Sequence, residues 1–319
     1  MGSPCGGSGT LTKAGYWSGI GTLPAVQSLI KTAAGHLHWK DYGGAGDTIV
    51  LVHGLGGSTA NWEAIGYKLA RYGHVVALDL PGFGLSPPGR DWSLETHADA
   101  VRAFAAEFSD TTTLLGNSLG GLLTEIIAAG HPEEVDNLVL VSPATPPRFG
   151  DPKIHWPTAR RLLIQATPGV GITASRYLLN RYSSEELVRM TLASVAHKPS
   201  RIPIDMIESF AVLAENRRKL PWAEQAVPST ATSIGRLFRR PRDFVKIVRE
   251  IKAPTMVVHG LEDRIVSPTA IEWLCSIRPD WNLTQLEDTG HTPQLDAAVR
   301  LVDTIATWLQ PRLRSEITA

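Results

Sequence analysis

Cysteine is scarce in this chain: 319 residues hold two, Cys5 and Cys275. A pair so far apart in sequence argues against a disulfide framework and a thiolate metal site, and both thiols are expected to be free. Long apolar runs are missing as well. No stretch of about 18 uncharged apolar residues occurs, as a membrane-spanning helix would need. The N-terminal MGSPCGGSGTLTK lacks the apolar core of a secretory signal, so a soluble, cytoplasmic protein is expected. Net charge is absent too, because Lys+Arg 31 and Asp+Glu 31 cancel. Without a basic stripe interleaved with aromatics, nucleic acid is not an expected partner. The glycines form neither a dinucleotide fingerprint nor a phosphate loop with its Lys-Ser pair. No internal repeat is present, and low complexity is confined to the Gly/Ser-rich first nine residues, expected to be disordered.

What is present is an alternation of short apolar runs with amphipathic stretches. His36–Tyr42, Thr48–Val52, His74–Leu80, Thr111–Gly116 and Asn137–Val141 read as strands, and Thr255–His259 and Asn282–Leu286 resume the series. Helical spacing marks Thr59–Tyr72, Ser93–Phe108, Leu119–Gly130, Pro268–Ile277 and Pro293–Leu309, with Ser93 as a cap. Strand followed by helix, with short connections, implies an α/β fold whose mostly parallel central sheet is covered by helices on both faces. Residues 145–250 break the rhythm: they are helical, proline-interrupted and basic, with 18 Lys/Arg against 9 Asp/Glu. They are expected to form a helical cap over the carboxyl ends of the strands, where open sheets bind ligands. Their charge is expected to attract an anionic substrate or an acidic membrane, with Arg217-Arg218-Lys219 and Arg239-Arg240-Pro241-Arg242 as the clusters to test. Tyr16–Ala33 is expected to pack as an amphipathic helix.

The chemistry is expected at Gly116-Asn117-Ser118-Leu119-Gly120, set between an apolar strand and an apolar helix. A tight strand-to-helix turn lifts the Ser118 hydroxyl to the top of the sheet, and the small flanking residues give it clearance. A serine hydroxyl near neutral pH needs a base, and the base needs an orienting acid. Asp263, in Gly260-Leu261-Glu262-Asp263, and His291, in Gly290-His291, each follow a predicted strand in the chain order Ser, Asp, His. Glu262 is the rival acid. Among the other histidines, His259 is expected to be a buried, hydrogen-bonded core residue. His53 opens the loop His53-Gly54-Leu55-Gly56-Gly57, which suits an oxyanion role better than that of a base. The backbone N–H groups of Leu55 and Leu119 are the expected oxyanion donors, and Gly54, Gly56 and Asn117 are expected to contact substrate.

Together with Asp79-Leu80-Pro81-Gly82-Phe83-Gly84-Leu85-Ser86, these motifs resemble the α/β-hydrolase superfamily over Gly35 to Gln310. The resemblance implies a core at 35–144 and 251–319, a helical cap at 145–250 inserted after the sixth strand, and an N-terminal extension at 1–34. It implies Ser-His-Asp ester hydrolysis on a small ester or acyl substrate, with no cofactor and no metal. The Gly-Asn-Ser-x-Gly-Gly form is similar to carbon–carbon hydrolases of meta-cleavage products, but Thr292 stands where those enzymes carry tryptophan after the histidine. Carboxylesterase or lipase-like chemistry is therefore expected first, carbon–carbon hydrolysis second, and a cofactor-free perhydrolase third. A non-catalytic ligand receptor on the same fold is the contrasting class.

Overall fold

A computed structural model describes residues 29–148 and 150–313. The expected disorder of the first nine residues, Cys5 and most of the expected Tyr16–Ala33 helix lie outside them. Eight strands form one sheet: β1 Leu29–Thr32, β2 Gly35–Gly43, β3 Thr48–Val52, β4 His74–Leu78, β5 Thr112–Asn117, β6 Val135–Val141, β7 Thr255–Gly260 and β8 Asn282–Leu286. Their order is β1-β2-β4-β3-β5-β6-β7-β8. The β1/β2 and β2/β4 pairs are antiparallel and the rest parallel. From β3 the chain goes one way to β4, then crosses back past β3 to β5 on its other side. Strand order reverses there, so a crevice opens beyond the ends of β3 and β5.

The helices of the described residues are α1 Gly66–Leu69, α2 Leu94–Ala105, α3 Leu119–Gly130, α4 Trp156–Ala166, α5 Val170–Arg181, α6 Ser184–Val195, α7 Ile204–Arg218, α8 Ala226–Phe238, α9 Pro241–Glu250, α10 Pro268–Ile277, α11 Pro293–Asp296 and α12 Ala298–Leu309. Alternate strand residues feed two separate cores. Val50, Val52, Leu114 and Leu140 pack with residues of α2, α3 and α10, and Ile49, Leu51, Leu115 and Val141 pack with Trp62 and α12. That division explains the uninterrupted apolar strands, because a strand covered on both faces has no solvent side. The six helices α4 to α9 lie between β6 and β7. Among the described residues, no helix is long and apolar enough to cross a membrane.

Three expectations are corrected. Leu29–Thr32, expected within an extension and a helix, is a strand paired with β2; a turn in which Thr32 Oγ1 donates to the Gly35 carbonyl (3.0 Å) closes the hairpin. Thr59–Tyr72 is not one helix but a 3-10 turn at Thr59–Trp62 followed by the single turn α1. Tertiary contact breaks it: Gly66 lies so close to Tyr42 that a Cβ would sit 2.5 Å from the ring, and the Tyr42 hydroxyl donates to the Thr59 carbonyl at 2.9 Å. Pro293–Leu309 is likewise split, at Ala297, where the Asp296 side chain turns to bind main-chain N–H groups.

Candidate active site

Only Ser118 separates β5 from α3, and it takes φ 56° and ψ −117°. That backbone region disfavours any residue with a Cβ and costs about 1–3 kcal/mol, so surrounding bonds must impose it. They do: Ser118 N–H donates to the Val141 carbonyl (3.1 Å), and its own carbonyl accepts from Leu122 (3.1 Å) and Ala144 (2.9 Å). A Cβ on Gly116 would lie 2.4 Å from the Gly120 carbonyl, and one on Gly120 would lie 2.0 Å from the Val52 oxygen. The two glycines are therefore steric requirements of a turn pressed between β3 and α3. The Ser118 side chain emerges at the carboxyl edge of the sheet, half-buried.

At the same edge, His291 Nδ1 lies 2.7 Å from Asp263 Oδ2, both side chains buried. The other carboxylate oxygen accepts from the N–H groups of Ile265 (2.7 Å) and Val266 (3.0 Å). Burial pushes the Asp263 carboxyl up, but His291, His259 and the Ile265 N–H outweigh it and hold the group below the usual carboxylate range. An ionised Asp263 fixes the imidazole with its proton on Nδ1, which leaves Nε2 as the basic nitrogen. Glu262 is occupied otherwise, accepting from Thr289 N–H at 2.8 Å. His259 is buried as expected, with Nδ1 3.7 Å from Asp263 Oδ2. Burial drives its pKa down to about 4.

The loop after β3 packs directly on this centre. A Cβ on Gly54 would come within 3.0 Å of Ser118 Cβ, so the position demands glycine. His53 shapes the loop from below: Nδ1 bonds the Gly54 carbonyl at 2.7 Å, and Nε2 accepts from Leu80 N–H at 3.0 Å. It is fully buried, and that burial lowers its pKa to about 4. Neither the Leu55 N–H nor the Leu119 N–H meets a protein acceptor among the described residues. Asp79 anchors the neighbouring loop, accepting from Thr59 (2.6 Å) and Leu85 (2.7 Å) and pairing with His38 (2.7 Å).

Several residues that sequence reasoning missed hold the pieces together. Asn117, expected to touch substrate, is instead spent on structure: its Nδ2 donates to the carbonyls of Val141 (2.9 Å) and His291 (3.2 Å), and its Oδ1 accepts from Gln294 (3.0 Å). The helical insertion grips the histidine loop as well. His291 N–H donates to the Val195 carbonyl (2.7 Å), and Asp296 accepts from His197 N–H (2.7 Å) and Gly290 N–H (3.2 Å). Arg217, from α7, donates to the Gly56 carbonyl at 3.0 Å and lies 5.6 Å from the Phe83 ring centre. Arg218 likewise turns inward, to the Tyr182 carbonyl at 2.6 Å, while Lys219 is exposed. No sequence signal marks these contacts, since each joins segments remote in the chain.

The sequence pattern of the family described as alpha/beta hydrolase fold matches residues 47–298. The chain belongs to that family. It is similar to Lipase 3 of Moraxella sp. (strain TA144), 29% identical over 258 residues, which span 79% of this chain and 74% of that one. It is also similar to 2-hydroxymuconate semialdehyde hydrolase of Pseudomonas sp. (strain CF600), 27% identical over 277 residues, spanning 83% and 88% of the two chains. The structure of Lip1 from Acinetobacter baumannii AYE superposes with a TM-score of 0.70 at 23% identity, covering 89% of this α/β hydrolase and 91% of that chain. At that identity the likeness speaks to fold alone.

Proposed function

We propose that this α/β hydrolase cleaves a carboxylic ester through an acyl-enzyme on Ser118, with His291 as base and Asp263 as its orienting acid. The observation that carries the reading is the His291–Asp263 bond at the sheet edge where a strained turn presents Ser118. Ser118 Oγ adds to the ester carbonyl while His291 Nε2 takes its proton. The resulting oxyanion accepts from the N–H groups of Leu55 and Leu119. The tetrahedral intermediate collapses, the C–O bond breaks, and the alcohol leaves with the proton that His291 returns. Water, deprotonated by His291, then attacks the acyl-enzyme and frees the acid and Ser118.

Residues 145–250 act in this reading as a cap. Support comes from their contacts with both catalytic loops: Val195 with His291, His197 with Asp296, and Arg217 with Gly56. The likeness to a lipase favours an ester substrate. Carbon–carbon hydrolysis is the second reading, favoured by the likeness to 2-hydroxymuconate semialdehyde hydrolase and by Asn117 beside Ser118. A panel of short and long p-nitrophenyl esters, a lactone and a vinylogous diketone, run on wild type and Ser118→Ala, separates the two. Ester turnover that vanishes in the variant is expected. Turnover of the diketone alone reverses the order, and equal turnover by Ser118→Ala removes the mechanism.

A further inference from the structure

The outer face of the α4–α5 hairpin is apolar, aromatic and exposed. Trp156 is 72% exposed, Leu163 69% and Tyr177 62%, with Ile164 and Val170 also in solvent. Trp156, Arg160 and Leu163 share one stripe of α4, and Val170 and Tyr177 share one of α5, by helical spacing. Packing among the described residues does not account for large side chains left in water on two adjoining helices.

The charge that α4 and α5 themselves carry has one sign. From Pro152 to Ser184 the sequence holds Lys153, Arg160, Arg161, Arg176 and Arg181 and not one Asp or Glu. The helix beneath, α8, adds Arg236 and no acid. Among the described residues, Arg176 is the one of the five that pairs with an acid, Glu224 at 2.8 Å. Apolar and aromatic side chains rimmed by unneutralised cations match a surface with an oily interior and an anionic skin. We infer that the α4–α5 face docks this protein on an anionic phospholipid surface.

Docking there sets the crevice close to the lipid. Helix α4 rests on α8, where the Thr232 hydroxyl donates to the Ala166 carbonyl at 3.1 Å. Val227, on the same α8, comes within 3.7 Å of where a Cβ on Gly56 would stand. One helix therefore separates the proposed lipid face from the loop above Ser118. Binding does not depend on Ser118, so the inference stands or falls separately from the proposed reaction.

The test is co-sedimentation of the full chain with vesicles of phosphatidylcholine alone and of phosphatidylcholine mixed with phosphatidylglycerol. Wild type and Ser118→Ala are expected to bind the mixed vesicles alike, to bind pure phosphatidylcholine about tenfold less or weaker still, and to release as salt rises. Arg160→Glu/Arg161→Glu and Trp156→Ala/Leu163→Ala are each expected to weaken binding by about tenfold or more while hydrolysis of soluble p-nitrophenyl butyrate stays at the wild-type rate. Failure of the wild type to sediment with the mixed vesicles overturns the inference, as does binding untouched by both double variants. Self-association by light scattering that is insensitive to salt and lost in Trp156→Ala/Leu163→Ala also overturns it, assigning the face to a second copy of the chain.

Discussion

Asn117 donates a hydrogen bond to the main-chain carbonyl of His291, 174 positions away in sequence, at 3.2 Å. Through this bond the residue before Ser118 holds the main chain at His291. Replacing Asn117 by Ala removes that donor from the His291 carbonyl, a cost of about 1–3 kcal/mol, while the Val141 carbonyl keeps its bond from Ser118 N–H. The expected result is a drop in kcat of about 10- to 100-fold with KM nearly unchanged, since the loss concerns geometry at the reacting centre. Steady-state kinetics on a soluble ester check this. A fall in stability with no change in kcat argues that the bond serves folding only.

Arg217 tests whether the insertion shapes the oxyanion loop. Burial lowers its pKa, opposed by Asp79, although the side chain is only half-buried by its surface area. Arg217→Met removes the charge and its hydrogen bond to the Gly56 carbonyl. The variant is expected to lose about tenfold or more in kcat with little change in urea midpoint. Urea midpoints and ester kinetics, measured on one preparation, give both readouts.

Three buried histidines, His53, His97 and His259, each have a pKa lowered to about 4 by burial. The unfolded chain binds these protons from about pH 6.5 downward while the folded protein resists until about pH 4. Their contribution to stability is complete above the unfolded pKa and is lost as pH falls through that window. Denaturant midpoints are expected to fall steeply between those limits, with a slope of up to about 1.4 kcal/mol per pH unit for each histidine. His97→Gln is expected to remove about one proton from that slope. A slope identical to wild type contradicts the assignment.

Glu125 works in the opposite direction. It is fully buried in α3, neither carboxyl oxygen has a partner among the described residues, and burial raises its pKa well above the usual value. The folded state keeps a proton that the unfolded state releases above about pH 4.5, so Glu125 makes the protein less stable as pH rises from there. Glu125→Met is expected to gain more stability at pH 8 than at pH 5, measured by urea unfolding. An equal gain at both values contradicts a protonated carboxyl.

Much of the fold was legible because its signals are local. Strands such as β3 announce themselves by five consecutive buried residues, and Gly116 and Gly120 reveal the tight turn because no other residue fits there. The pairing of Asp263 with His291 was legible by position, each just past a strand. What stayed hidden was set by contacts between distant segments. Tyr42 breaking the Thr59–Tyr72 stretch at Gly66, Asp296 splitting the last helix, and Asn117 turning from the crevice to His291 leave no periodic trace.

The central claim is that Ser118 becomes covalently acylated with the help of His291 and Asp263. Intact-mass and peptide mass spectrometry after treatment with a fluorophosphonate measure this directly. One adduct per chain on Ser118 is predicted, slowed by about 10³-fold or more in His291→Ala and absent in Ser118→Ala. An adduct on another residue, or full ester turnover by Ser118→Ala, contradicts it.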